Sequence, residues 1–199
     1  MSAPFLAGVV AGYGVAVPVG AIGVLIAGLS ARTSLRVGAA AGLGAAAADG
    51  IYATIAVLGG AAAAALIATI ATPLRWLAAA VLLVLAAVTA QGAFRPPSRA
   101  RQERPATPAR AFTGILALTL LNPATVIYFA ALVLGGAGEG GGVRFVAGAF
   151  LASASWQLLL AGGGTLIGRV LTGDRGRLIT ALVSSAVIAI LAIRLLTSS

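Results

Sequence analysis

The sequence predicts an all-α membrane protein, with six transmembrane helices arranged as two inverted three-helix repeats. Three observations carry that expectation. Of the 199 residues, 60% are hydrophobic and 9% charged, whereas a soluble domain carries about 25% charged residues. Mean hydropathy is +1.09, so there is too little polar surface to cover a globule in water. Apolar stretches long enough to cross a bilayer recur along the whole chain, and a basic, Pro-rich segment divides them three and three.

A spanning helix needs about 20 mostly apolar residues. Six segments qualify: 5–29, 37–59, 74–94, 111–134, 144–168 and 178–197. The first contains VPVGAIG with Pro18 near its centre, and the second holds Asp49 near its centre. Between the second and third lies GAAAAALIATIATP (60–73), which extends the second helix, lies in the interface or caps the third. After the third comes FRPPSRARQERPATPAR (94–110), whose prolines argue against continuous helix. The fourth contains LLNPATVIY with Pro123 near its centre, and the fifth holds Trp156 near its own. The expected organisation is a first repeat at 1–93, a cytoplasmic linker at 94–110 and a second repeat at 111–199. An odd number of helices per repeat inverts the halves in the membrane, a plan common among secondary transporters.

Arginines set the expected orientation. Arg32, Arg36, Arg95, Arg99, Arg101, Arg104, Arg110, Arg169, Arg175 and Arg177 fall on one side of this plan, and Arg75, Arg144 and Arg194 on the other. The positive-inside rule places the larger group in the cytoplasm and both termini outside. Phe5, Trp76, Phe94, Phe112 and Phe145 fall at expected helix ends, where an interfacial aromatic belt belongs. The N-terminal MSAPFLAG lacks the basic region of a signal peptide. A juxtamembrane basic loop records topology and touches anionic lipid, so no nucleic-acid partner is expected.

Composition narrows the chemistry. Without Cys there is no disulfide, iron–sulfur cluster or thiol relay. Without His, and with only Asp49, Glu103, Glu139 and Asp174 as acids, no metal site or other cofactor is expected. No nucleophile–base pair is visible, so an enzyme is not expected.

Asp49 and the two prolines remain as candidate site residues. An Asp at helix centre costs about 2.5–3.5 kcal/mol on an insertion scale, and Val37, Leu43, Ile51, Ile55, Val57 and Leu58 together return roughly 2–3.5 kcal/mol. An acid that expensive is presumed to face a cavity or partner. No basic residue is expected at its depth. Either Asp49 is protonated at rest or a cationic ligand supplies the charge; Tyr52, three residues on, could hydrogen-bond it. A bond to Ser, Tyr or Gln of another helix is the structural alternative. Pro18 and Pro123 free backbone carbonyls at matching depth, and paired breaks in corresponding helices point to a transporter site.

PVGAIGVLIAGLS (18–30), RVGAAAGLGAAAADGIYATIAVLG (36–59) and GILALTLLNPATVIYFAAL (114–132) resemble the lysine-exporter superfamily of bacterial amino-acid exporters, and GAFLASASWQLLL (148–160) is similar to its fifth helix. Pro18 and Gly20 match the first element, Asp49 the second, and Asn122 and Pro123 the third. A second proline usual in the first element is here Ala21. The resemblance implies six-helix export of an amino acid or related small solute across a bacterial inner membrane, the expected partners being that solute and lipid. Proton coupling through Asp49 is the expected drive, with Trp156 and Gln157 walling the cavity. An inorganic-cation exporter and a non-transporting membrane assembly protein are the alternatives, and a homodimer is left open.

Overall fold

Two of the expected helices are broken, and each break falls where a proline removes a backbone donor. In this computed structural model the described residues are 3–18, 20–93, 106–134 and 141–170, with isolated helical positions between 182 and 193. The expected first span is two helices, α1 (Ala3–Ala16) and α2 (Ala21–Arg32), bent by 77°. Pro18 has no N–H to continue α1, and Gly20 takes an extended conformation (φ −101°, ψ −168°) before α2 restarts. The expected fourth span is likewise two helices, α4 (Pro108–Leu120) and α5 (Pro123–Leu134). A residue preceding proline is disfavoured in helix, so α4 stops before Asn122. Pro123 then opens α5, at a position where its missing N–H costs nothing.

The long helices differ from expectation in one respect. α3 runs without interruption over Leu35–Ala93, so 60–73 extends the second helix and 74–94 is its continuation rather than a separate third helix. Alanine dominates the segment after Gly60 and favours helix, and Pro73 is accommodated within α3. At about 1.5 Å per residue a helix of this length far exceeds a bilayer of about 40–45 Å. α6 covers Gly142–Val170, as expected of the fifth helix. By length and composition Leu35–Gly59 and Gly142–Ile167 can each cross a membrane, and the bent pair α1–α2 passes the same test when its two helices are taken together. The described residues carry helices and no strands.

Starts are capped locally. Ser34 Oγ accepts from the Val37 N–H at 3.3 Å ahead of α3. Thr107 caps α4, accepting from the Arg110 N–H at 3.3 Å, with Pro108 in the first turn. That proline therefore begins a helix instead of prolonging the linker. Residues 94–105, most of the linker, lie outside the described residues, as does most of the expected sixth helix.

Glycines set how closely the helices pack. A Cβ at Gly8 or Gly12 of α1 would collide with the Phe145 or Ala149 carbonyl of α6, so these two helices touch backbone to backbone and run parallel. Further on, Gly164 of α6 meets the Ala27 carbonyl of α2 in the same way. α3 runs antiparallel to α6, with Gly42 against Gln157 and Gly50 against Phe150. α4 in turn lies along α3, where Gly44 meets the Phe112 carbonyl and Leu116 N. The small-residue spacings Gly8/Gly12 and Gly38/Gly42 thus mark real close approaches, which favour association when apolar surface alone gives no drive in lipid.

This packing sorts the arginines. Ser30 Oγ donates to the Ala161 carbonyl at 2.6 Å, and Gly38 packs on Ser30. The end of α2, the starts of α3 and α4, and the later part of α6 therefore share one end of the bundle, carrying Arg32, Arg36 and Arg110. Arg144 stands at the other, beside Phe145. That phenylalanine is fully buried against α1, so it belongs to the core and not to an interfacial belt. One apolar cluster includes Tyr52, Phe129 and Phe145, and another includes Ile26, Ala45 and Ile115. Asp49 lies on α3 between Ala45 of the second and Tyr52 of the first.

Candidate functional site

Both helix breaks open onto one cavity of about 60 Å³, and Asp49 faces it. Its volume is well above the roughly 10–15 Å³ that one water requires. The α1–α2 break contributes Val15, Ala16, Pro18, Gly20, Ile22 and Gly23, and the α4–α5 break contributes Thr119, Asn122 and Thr125. The two long helices contribute Asp49 and Gln157. Of the residues singled out in the sequence, Pro18, Gly20, Asp49, Asn122 and Gln157 are brought together. Pro123 occupies the first position of α5, immediately after Asn122.

Asp49 is 3% exposed. Ser153 Oγ of α6 donates to its Oδ2 at 2.6 Å, tying the two antiparallel long helices together at the cavity wall. The acid thus has a partner on another helix and also a face on the cavity. Ser153 is itself fully buried. Sequence reasoning did not name it, although it sits four residues before Gln157 and so on nearly the same face of α6.

Tyr52 does not reach Asp49. Its hydroxyl donates across to the Leu120 carbonyl, the last residue of α4, and its ring stacks on Phe129 with centroids 5.9 Å apart. Helix ends leave carbonyls without an intrahelical partner, and Tyr52 satisfies one of them. Trp156 also stands away from the cavity lining. Its indole Nε1 is buried and has no hydrogen-bond partner among the described residues.

The chemistry of the lining is divided. Asp49 and Gln157 stand on the long helices; Gln157 is 6% exposed, and its Oε1 has no partner among the described residues. The first turns of α2 and α5 supply backbone N–H groups that precede the first intrahelical bonds, Val24 N–H to Gly20 (3.2 Å) and Val126 N–H to Asn122 (3.2 Å). Gly20 brings no side chain to cap α2, whereas Asn122 Nδ2 donates to Thr125 Oγ1 at 3.2 Å. Helix N-termini favour anionic groups, and a carboxyl with an amide oxygen favours ammonium or another N–H donor. Among the described residues no three His, Cys, Asp or Glu side chains come together as a metal site. Thr119 and Thr125, missed in the sequence, resemble ordinary helix residues until the break brings them to the cavity.

Interrupted apolar helices around a buried acid and a small polar cavity define a membrane protein of the transporter class. The chain belongs to the LysE type translocator family, whose model matches residues 14–199. No curated protein and no solved structure matches it. Membership makes the protein a membrane translocator and agrees with the resemblance of its Pro-Gly, Gly/Ala-Asp and Leu-Asn-Pro elements.

Proposed function

We propose that the protein exports an amino acid, or a small solute of like charge pattern, across the bacterial inner membrane in exchange for protons. The observation that carries this reading is the meeting of two broken helices at the cavity that Asp49 faces. A zwitterion suits it: ammonium on the Asp49 and Gln157 side, carboxylate toward the first turns of α2 and α5. Asp49 exchanges a proton as the cavity opens first to one side and then to the other. Neutral Asp49 lets the carrier return empty, and ionised Asp49 holds the ammonium.

The architecture we propose is a pair of inverted halves. In each, a broken helix precedes a long one, and each broken helix packs on the other half's long helix: α1 and α2 on α6, α4 and α5 on α3. Gly148 presses on the Phe5 carbonyl and Val9 N as Gly44 presses on the Phe112 carbonyl and Leu116 N. The six-span form of this plan requires the chain to turn between Gly59 and Trp76, where Pro73 stands. The end bearing Arg32, Arg36 and Arg110 is cytoplasmic.

Transport by purified protein in liposomes tests the function. With an acid exterior, internally loaded radiolabelled amino acids should leave faster than from protein-free vesicles, and collapse of the pH gradient should remove the acceleration. Efflux indifferent to the protein for every amino acid, charged or neutral, contradicts the substrate reading; efflux indifferent to the gradient contradicts the coupling.

A further inference from the structure

The two long helices carry one nine-residue pattern twice. Residues 44–52 read GAAAADGIY and residues 148–156 read GAFLASASW. The leading glycines, Gly44 and Gly148, press on the backbone of a broken helix in the same way. The sixth residues, Asp49 and Ser153, are hydrogen-bonded to each other. The ninth residues, Tyr52 and Trp156, are both aromatic and each carries one polar X–H donor.

Their situations in the structure differ. Tyr52 is engaged, its hydroxyl donating to the carbonyl that ends α4. Trp156 is idle, its Nε1–H buried and without a partner among the described residues. The register of α1 on α6 tells what lies near Trp156. Gly8 sits over Phe145 and Gly12 over Ala149, so the next step of four brings Ala16, the last residue of α1, to Ser153. α2 regains contact where Ala27 meets Gly164. Trp156 falls between those points, beside the α1–α2 break. Pro18 there offers no N–H to the Gly14 carbonyl, which leaves that carbonyl without its intrahelical partner.

We propose that Trp156 is a positioning residue, the counterpart of Tyr52. In the conformation that faces the other side of the membrane, its indole N–H takes a carbonyl of the last turn of α1 while Tyr52 releases Leu120. The assignment rests on the inverted-halves reading above. Each conformation then satisfies one helix end and leaves the other's donor idle. An idle buried donor is costly, and placing one in each state keeps the two states close in energy. That balance is what a carrier visiting both sides needs.

The chain has no Cys, so a single Cys replacing Thr125 in the cavity reports which side is open, through labelling by an impermeant maleimide in vesicles of either orientation. Tyr52→Phe should change the ratio of labelling from the two sides about fivefold, the weight of one hydrogen bond. Trp156→Phe should change it by a similar factor in the opposite direction, and Trp156→Tyr, which restores a donor, should return it toward wild type. Shifts in the same direction, or no shift from either variant, overturn the proposal. A second measurement leaves Trp156 in place. With Trp76→Phe removing the only other tryptophan, adding Tyr52→Phe should move the Trp156 emission to longer wavelength as its N–H gains an acceptor; unchanged emission overturns the pairing. Both measurements are made without solute, so they hold or fail independently of which solute is exported.

Discussion

Replacing Ser153 by Ala removes the one interhelical hydrogen bond the structure gives to the Asp49 carboxyl, and leaves the rest of α6 as it is. Both partners are buried, Ser153 completely and Asp49 to within 3% exposure, and the bond is 2.6 Å long. Hydrogen bonds to neutral groups contribute about 0.5–1.5 kcal/mol and those to charged groups about 1.5–3 kcal/mol. The cavity beside Asp49 has room for water, and a water there takes over part of the lost bond. Together these give a loss of about 1–2 kcal/mol, or roughly 2–8 °C in the melting temperature of a chain this size. Thermal unfolding of the detergent-solubilised protein measures it. The same substitution on an Asp49→Asn background serves as the control for charge, because the Asn amide oxygen still accepts from Ser153; there the loss should fall to about 1 kcal/mol or less. A Ser153→Ala protein that melts within 1 °C of wild type, a threshold set below that predicted loss, refutes the claim that this bond ties α3 to α6.

Asn122→Ala removes the Thr125 contact at the α5 start and should weaken solute binding at least as much as Pro123→Ala, which restores a backbone donor at the break; if the break serves packing alone, binding isotherms on the purified variants would show neither weakened. Gly44→Ala and Gly148→Ala each drive a methyl into a backbone carbonyl, and each should cost about 1–3 kcal/mol; unfolding measurements that find only one of them costly would argue against equivalent contacts in the two halves. Single Cys residues at Ser34 and Thr107 should resist an impermeant reagent applied to intact cells, while one at Val143 reacts. Labelling of the first two from outside would reverse the orientation.

The breaks were legible because proline announces them: Pro18 and Asn122-Pro123 lie where α1 and α4 stop. Asp49 was legible because an acid in an apolar helix has a cost that composition cannot hide. Its partner was not. Ser153 in ASASW reads as one small polar residue among several, and only the antiparallel register of α3 and α6 singles it out. Tyr52 was read toward Asp49 because residues three apart share a helix face, yet the nearby carbonyl at the end of α4 claims its hydroxyl.

The central claim is that Asp49 carries the proton that drives export. Purified wild-type and Asp49→Asn proteins, reconstituted at equal density in liposomes loaded with radiolabelled amino acid, separate it from a structural role. Asn keeps the acceptor for Ser153 and imitates the protonated acid, so the variant should fold and insert at least as well as wild type. It should lose the acceleration that an acid exterior gives the wild type and, lacking the carboxylate that holds the ammonium, keep at most slow exchange of solute across vesicles without a gradient. Asp49→Asn vesicles that export against a solute gradient as fast as wild type would contradict the account.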